Sequence, residues 1–324
     1  LNPFEYVNPS SLKEVPELLG RSRDRSSVPI AGGIDLLGEL KDDLITPGRL
    51  VNLKALEDLR FIRHEAKGLS VGATTTLTEV VKDARIQKDY AALAQAAESV
   101  ASLQIRNVGT VGGNLCQRPR CWYYRDTAFN CLKKGGHTCF AVDGLNKYHA
   151  ILGGGPCHIV HPSDLAPALI ALGARVSIHG PKGERTEALE DFYVLPYDRL
   201  QQETVLAPDE VVTRVTVPKP AVGSKSVYLK FKEKGSMDFA LSAAAASVRV
   251  VGGVCREARL VLGGVAPKPW TVDTGLLVGK QVSEETANAV ADAALKEAEP
   301  LRDNAFKVPL TKTMIRRALL SAVA

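Results

Sequence analysis

Five of the six cysteines in this 324-residue chain, Cys116, Cys121, Cys131, Cys139 and Cys157, crowd into one stretch, and only Cys255 lies elsewhere. Thiolates are soft metal ligands, and a domain of this size has enough apolar core to do without disulfides. The crowding therefore points first to a metal or cluster site. A second chemistry is carried by two glycine loops. Ala31-Gly32-Gly33-Ile34-Asp35-Leu36-Leu37 follows the apolar run VPI, and Thr110-Val111-Gly112-Gly113-Asn114 follows an alanine-rich segment. Glycine lets backbone amides approach a phosphate with no Cβ between them and allows positive φ. Thr110 and Asn114 add a hydroxyl and an amide for phosphate or ribityl oxygens. Either loop alone is equally well a plain turn, with Asp35 as a helix N-cap. Together they suit a diphosphate held between two subdomains. Neither is the G-x-G-x-x-G fingerprint in a βαβ setting, which argues against a Rossmann site.

The elements that must position these loops are legible in outline. Ser11 with Glu14, and Thr76 with Glu79, read as capping boxes that open helices. VPIAGG reads as a strand entering a tight turn, LLGELK as a helix and RLVNL as a strand. An alanine-rich helix is expected over roughly 89–102. Residues 115–158 have no steady helical or strand period, and a loop that long in a compact domain is usually functional or disordered. The cysteines favour functional. HPSDLAPALIALGARVSIHG reads as a capped helix followed by a strand, with GPKG turning into the next strand. VVTRVTVPKP (211–220) ends in a proline-rich break that marks the best domain boundary. Beyond it, SVYLKFKEKG, AAAASVRVV and EARLVLGGV read as an antiparallel sheet. Ser283 opens one further helix, and TKTMIRRALLSAVA forms the last.

Composition narrows the class. Hydrophobic residues make up 45% and charged residues 24%, ordinary for a globular protein, and the net charge of +5 is spread along the chain. A nucleic-acid partner would need a clustered basic stripe. No run is long enough to span a bilayer. The first residues lack the basic-then-apolar pattern of a signal peptide, so export would need another chain. There is no nucleophile elbow, H-E-x-x-H, Walker loop or nicotinamide fingerprint, and nothing that reads as able to oxidise an organic substrate unaided.

In order and spacing, AGGIDLL, TVGGN, HPSDLAPALIAL, VVTRVTVPKP and YLKFKEKGSMDFALSAAAASVRV resemble the FAD-binding medium subunit of the xanthine dehydrogenase and carbon monoxide dehydrogenase family. The resemblance covers nearly the whole chain. It implies an α+β fold: a vanillyl-alcohol-oxidase-type FAD-binding domain in two subdomains (1–54 and 55–220), then a C-terminal α+β domain (221–324) with a three-stranded antiparallel sheet. By the same resemblance, Pro29, Ile30, Ala31, Gly32, Gly33, Ile34, Asp35 and Leu36 line the first pyrophosphate loop. Thr110, Val111, Gly112, Gly113 and Asn114 form the second. Val100 is an apolar contact to FAD, Asp164 of the S-D motif bonds the flavin's polar chain, and Lys232 reaches the isoalloxazine edge. On the residues alone, Asp164 is also a helix N-cap and Lys232 an outward-facing strand lysine.

The family needs only a short connection between the second loop and the S-D motif, whereas here a cysteine-bearing insertion at about 115–158 intervenes. QRPRCWYYRD, CLKKGGHTCFA and KYHAILGGGPCHIVHPSD resemble the subset of these subunits that carries an added [4Fe–4S] cluster, most of all the periplasmic aldehyde oxidoreductases of bacteria. Cys121, Cys131, Cys139 and Cys157, spaced C-x9-C-x7-C-x17-C, are the implied ligands. Arg118, Arg120, Lys133 and Lys134 would offset the cluster's charge. Cys116 reads instead as a small apolar residue near FAD, and Cys255 as a buried hydrophobe. A structural zinc site using His137 or His158, or a set of free thiols, are the competing readings. Trp122, Tyr123 and Tyr124 would shield the cluster, face a partner or pack in the core.

The function implied is that of an electron-transfer subunit. A large subunit holding the molybdenum cofactor would oxidise an aldehyde or N-heterocycle, and a small subunit with [2Fe–2S] clusters would pass electrons to FAD on this chain for a soluble acceptor. A 4-hydroxybenzoyl-CoA-reductase-type subunit with reversed flow, or a zinc-stapled module binding a phosphorylated ligand, are the alternatives.

Overall fold

The computed structural model describes residues 2–20 and 26–324. Its strands fall into three sheets in chain order. The first is parallel, ordered β1-β3-β2, from β1 (Glu5–Val7), β2 (Ser27–Ile30) and β3 (Arg49–Asn52). The second is antiparallel, ordered β4-β5-β8-β6-β7, from β4 (Ile62–Glu65), β5 (Gly68–Gly72), β6 (Arg175–Gly180), β7 (Gly183–Ala188) and β8 (Val211–Pro218). The third, ordered β12-β11-β10-β9, comprises β9 (Ser224–Phe231), β10 (Ser242–Val251), β11 (Val254–Gly263) and β12 (Trp270–Val272).

The alanine run in β10 explains how the last sheet joins the rest. Side chains alternate across a strand. Ala243 and Ala245 enter the core that holds Leu93, Leu169 and Phe192, while Ala244 and Ala246 enter the one that holds Val290, Ile315 and Leu319. All four are fully buried, so the strand is covered on both faces. Methyl-sized side chains let helices approach from either side: Ala91–Ser99 and Leu165–Ala171 on one, Lys307–Ser321 on the other.

Several expectations are met locally. Thr76 and Glu79 form a full capping box: Glu79 Oε2 accepts from the Thr76 amide at 2.8 Å, and Thr76 Oγ1 accepts from the Glu79 amide at 3.3 Å. Ser283 caps Glu284–Ala294. The structure differs from expectation in three places. Ser11 makes no cap, because a 3-10 turn at Leu12–Glu14 precedes Val15–Leu19 and Glu14 instead accepts from the Ser10 amide at 3.1 Å. The C-terminal sheet has four strands, not three. The fourth, Trp270–Val272, pairs with Leu260–Leu262 but, at three residues just after Pro269, is too short to show alternation in sequence.

The expected helix at 89–102 spans only Ala91–Ser99. Ala101 takes φ +42°, and Ser102 caps a new helix at Leu103–Val108 through a 3.4 Å bond from the Ile105 amide. A non-glycine residue at positive φ is strained and often marks a functional site.

Candidate cofactor site

The first glycine loop leaves the C-terminal end of parallel strand β2, where such sheets present ligand crevices. Gly33 takes φ +71°, and a Cβ on Gly32 would sit 2.4 Å from the Val108 carbonyl oxygen, so neither position admits a side chain without movement. That contact seats the first loop directly against the approach to the second. Among the described residues, the amides of Gly32, Gly33, Ile34 and Asp35 have no intramolecular acceptor. The second loop is a single helical turn, Val111–Leu115, capped by Thr110 Oγ1 at 3.2 Å from the Gly113 amide. Its amides are occupied internally, so it presents side chains and glycine surface rather than free donors.

Both loops line one cleft of about 2010 Å³. Residues 29–36 border it throughout, with Val100, Thr110, Gly112, Gly113, Asn114 and Asp164. Val111 does not; it is buried in the core, and its amide donates to the Thr75 carbonyl at 2.9 Å. The strained Ala101 lies beside Val100 on the wall.

Asp35 and Asp164 both border the cleft, and neither side chain caps its helix. Asp35 accepts from the Arg118 amide, Arg120 Nη1 and Arg125 Nη2, each at 2.6 Å, and so bolts the first loop to the cysteine-bearing insertion. Asp164 accepts from Tyr228 Oη at 2.6 Å and Lys230 Nζ at 2.7 Å, both on β9. Burial pushes its carboxyl upward, against the pull of Lys230 and Tyr228. Asn114 Oδ1 accepts from Ser163 Oγ at 2.6 Å and ties the second loop to the S-D segment.

Lys232 is not among the cleft-lining residues; its ammonium donates to the Ser236 carbonyl at 2.6 Å, beyond the end of β9. Of Lys230 and Lys232, it is Lys230 that lines the wall, and it also reaches the Ser99 carbonyl at 3.2 Å. Alternation could not separate the two, since both have the same parity; only the end of the strand at Phe231 does. His161, which sequence reasoning did not single out, also borders the cleft. Burial, with Arg120 and Lys133 nearby, holds its pKa at about 3, and its Nε2 is buried without a partner.

The insertion is irregular apart from short turns at Trp122–Arg125 and Leu132–Lys134, and edge-on aromatic packing supports it. Tyr123 meets Phe129 at 5.0 Å, and Trp122 meets Tyr148 and His149 at 5.6 Å. Cys121, Cys131, Cys139 and Cys157 all line one small second cavity, closed by Tyr123, Phe140 and Ile159. The six thiols are free of disulfides. Backbone amides reach the sulfurs: Tyr124 and Tyr123 to Cys121, His158 and Ala141 to Cys139, Ile159 to Cys157. The neighbouring Cys157 thiol lowers the pKa of Cys139, while Cys157 is pushed up by the same partner and by burial. Burial raises Cys121 to about 11.

Cys116 borders the large cleft, not this cavity, and Cys255 is buried on β11. Among the described residues no three His, Cys, Asp or Glu side chains converge on a single metal ion, and His137 is exposed. Three of the four basic residues near the thiols pair with carboxylates, while Lys134 donates to the Asp126 carbonyl. Arg118 pairs with Glu203 and Glu39, Lys133 with Glu203, and Arg120 with Asp35.

Comparison with known proteins matches residues 2–220 to the FAD binding domain in molybdopterin dehydrogenase and residues 226–322 to the CO dehydrogenase flavoprotein C-terminal domain. The chain belongs to the FAD-binding medium subunits of the molybdenum hydroxylases. Among its relatives is the aldehyde oxidoreductase FAD-binding subunit PaoB of Escherichia coli, 37% identical over 298 residues, 91% of each chain. The carbon monoxide dehydrogenase medium chain of Hydrogenophaga pseudoflava is 30% identical and covers 99% of this chain and 97% of its own. A solved carbon monoxide dehydrogenase from that organism superposes with a TM-score of 0.79 at 28% identity, over 99% of this chain and 97% of the other. This medium subunit is thus an FAD-binding component of an oxidoreductase.

Proposed function

We propose that FAD lies in the large cleft with its diphosphate against the amides of residues 32–35, and that the chain relays electrons within a molybdenum hydroxylase. The observation that carries this is the unpartnered run of amides on a loop whose two glycines cannot accept side chains, bordering one cavity with Thr110 and Asn114. Those amides suit a diphosphate, whose oxygens need donors at close range. Thr110 and Asn114 suit the ribityl and phosphate oxygens. Val100 supplies apolar contact, and Val111 supports the second loop from the core. Lys230, rather than Lys232, places a cation on the wall, fixed there by Asp164. Bound there, FAD supplies two-electron storage with one-electron exchange, as needed by a subunit that takes electrons from the [2Fe–2S] clusters of a small subunit and yields them to a soluble acceptor.

The thiol cavity suits a [4Fe–4S] cluster held by Cys121, Cys131, Cys139 and Cys157. Four thiols round one small pocket, with amide donors directed at three of them, match the donor set such a cluster requires, while nothing converges tightly enough for one zinc ion among the described residues. A cluster there would add a one-electron centre beside the flavin site. Oxidation of the organic substrate, an aldehyde or N-heterocycle, would fall to the large molybdenum-bearing subunit. The optical spectrum of the purified protein tests the reading. Flavin bands on a broad shoulder that dithionite bleaches are expected; a colourless protein holding one zinc would overturn it.

A further inference from the structure

Three residues, Cys121, Tyr124 and Lys133, link the two cavities, and Cys121 is the one cysteine among them. Cys121 borders both the thiol pocket and the large cleft, and His149 borders the cleft with its Nε2 3.2 Å from Cys121 Sγ. His149 is held with unusual firmness for a residue in an irregular segment. Its amide donates to the Asn146 carbonyl at 3.0 Å. Its own carbonyl accepts from Asn304 Nδ2 at 3.1 Å and from Lys307 Nζ at 3.0 Å, both from the C-terminal domain. Lys307 is itself fully buried, and the ring packs edge-on against Trp122. The other ring nitrogen, Nδ1, is buried without any partner.

That orphan fixes the tautomer. A proton on Nδ1 would leave a buried N–H donor with no acceptor, the costlier and rarer kind of unmet polar group. A proton on Nε2 leaves only a lone pair unmet and gives Cys121 a donor. We infer that His149 is a positioning residue whose Nε2–H donates to the Cys121 sulfur and raises the reduction potential of the metal–sulfur centre which that thiolate helps to hold. This rests on the [4Fe–4S] reading of the four cysteines. Reduction adds negative charge that spreads onto the sulfurs. A donor aimed at one of them stabilises the reduced form more than the oxidised form. Because Cys121 borders both cavities, the tuned sulfur is one that faces the flavin cleft.

The test is a potentiometric titration of the purified complex, following the cluster by EPR and the flavin by absorbance, in the wild type, His149→Leu and His149→Gln. With His149→Leu, the ratio of oxidised to reduced cluster at the wild-type midpoint should rise about tenfold, a shift of ~59 mV to more negative potential for a one-electron couple. Gln keeps an N–H and should recover most of that shift, with the flavin midpoint unmoved by either change. Should His149→Leu fail to retain iron, pulsed EPR of the wild type grown on 15N-histidine replaces it. A nitrogen coupling to the reduced cluster is expected, and its absence overturns the assignment. A wild type without iron defeats the cluster reading itself. A wild type with iron whose His149→Leu variant keeps its midpoint defeats only the role given to His149.

Discussion

Asp35 and Asp164 occupy equivalent places, each just before a helix that follows a loop bordering the cleft, yet they are held in opposite ways. Asp35 is partly open to solvent and shared by two guanidinium groups and an amide from the insertion. Asp164 is buried, with a side-chain exposure of 6%, and faces a single ammonium that is 4% exposed. The first is a clamp between the first glycine loop and the cysteine-bearing segment. The second is a clamp between the S-D segment and the C-terminal sheet. The cleft is thus built from three parts of the chain, and each carboxylate secures one junction with the burial its position allows.

The comparison breaks most sharply at the buried junction. Asp164→Ala strands Lys230 in the interior, and removal of one partner from a buried pair costs about 3–5 kcal/mol. Chemical denaturation should show that loss, and FAD should wash out on gel filtration; a variant of near wild-type stability would mean that water reaches Lys230. Asp35→Ala should cost less, about 1–3 kcal/mol, because Arg120 and Arg125 can turn to solvent. Its main effect should fall on FAD affinity, read by flavin fluorescence, through loosening of the first loop.

Acid sharpens the picture at a third point of the wall. His161, held at about 3 in the fold, would titrate near 6.5 when unfolded. Between those values the unfolded chain binds a proton that the folded chain does not. Stability from this group is therefore complete above about pH 6.5 and falls by roughly 1.4 kcal/mol per pH unit on acidification. The melting temperature of His161→Phe should decline less between pH 7 and 4 than that of the wild type; parallel curves would contradict the burial. The smallest effect belongs to Lys232→Ala, expected within about 0.5 kcal/mol and without change in flavin binding. Lys230→Ala in the same assay should be far more damaging.

The parts of the site that could be read from sequence are those whose requirement is local. Gly33 needs a backbone conformation that side chains resist, and Thr76 meets Glu79 within one helical turn. The four cysteines announce themselves by crowding, and they do line one cavity. What could not be read depends on partners distant in the chain. Asp35 and Arg118 are 83 residues apart, so each looked like something else: a helix cap, and a counter-charge for a cluster. Lys230 and Lys232 have the same parity in sequence, and what separates them is the strand end at Phe231 and the partner at Asp164, 66 residues away from Lys230. The fourth strand of the last sheet is likewise visible only once β11 supplies its edge.

The central claim is that one chain holds flavin in the cleft and a cluster in the thiol cavity beside it. Paired flavin and iron analysis of the wild type and Cys131→Ser tests it most directly. Cys131 lines the thiol cavity but not the cleft, so the variant should keep its flavin and lose its iron. Iron content unchanged by the substitution, or a wild type that carries flavin without iron, would contradict the account.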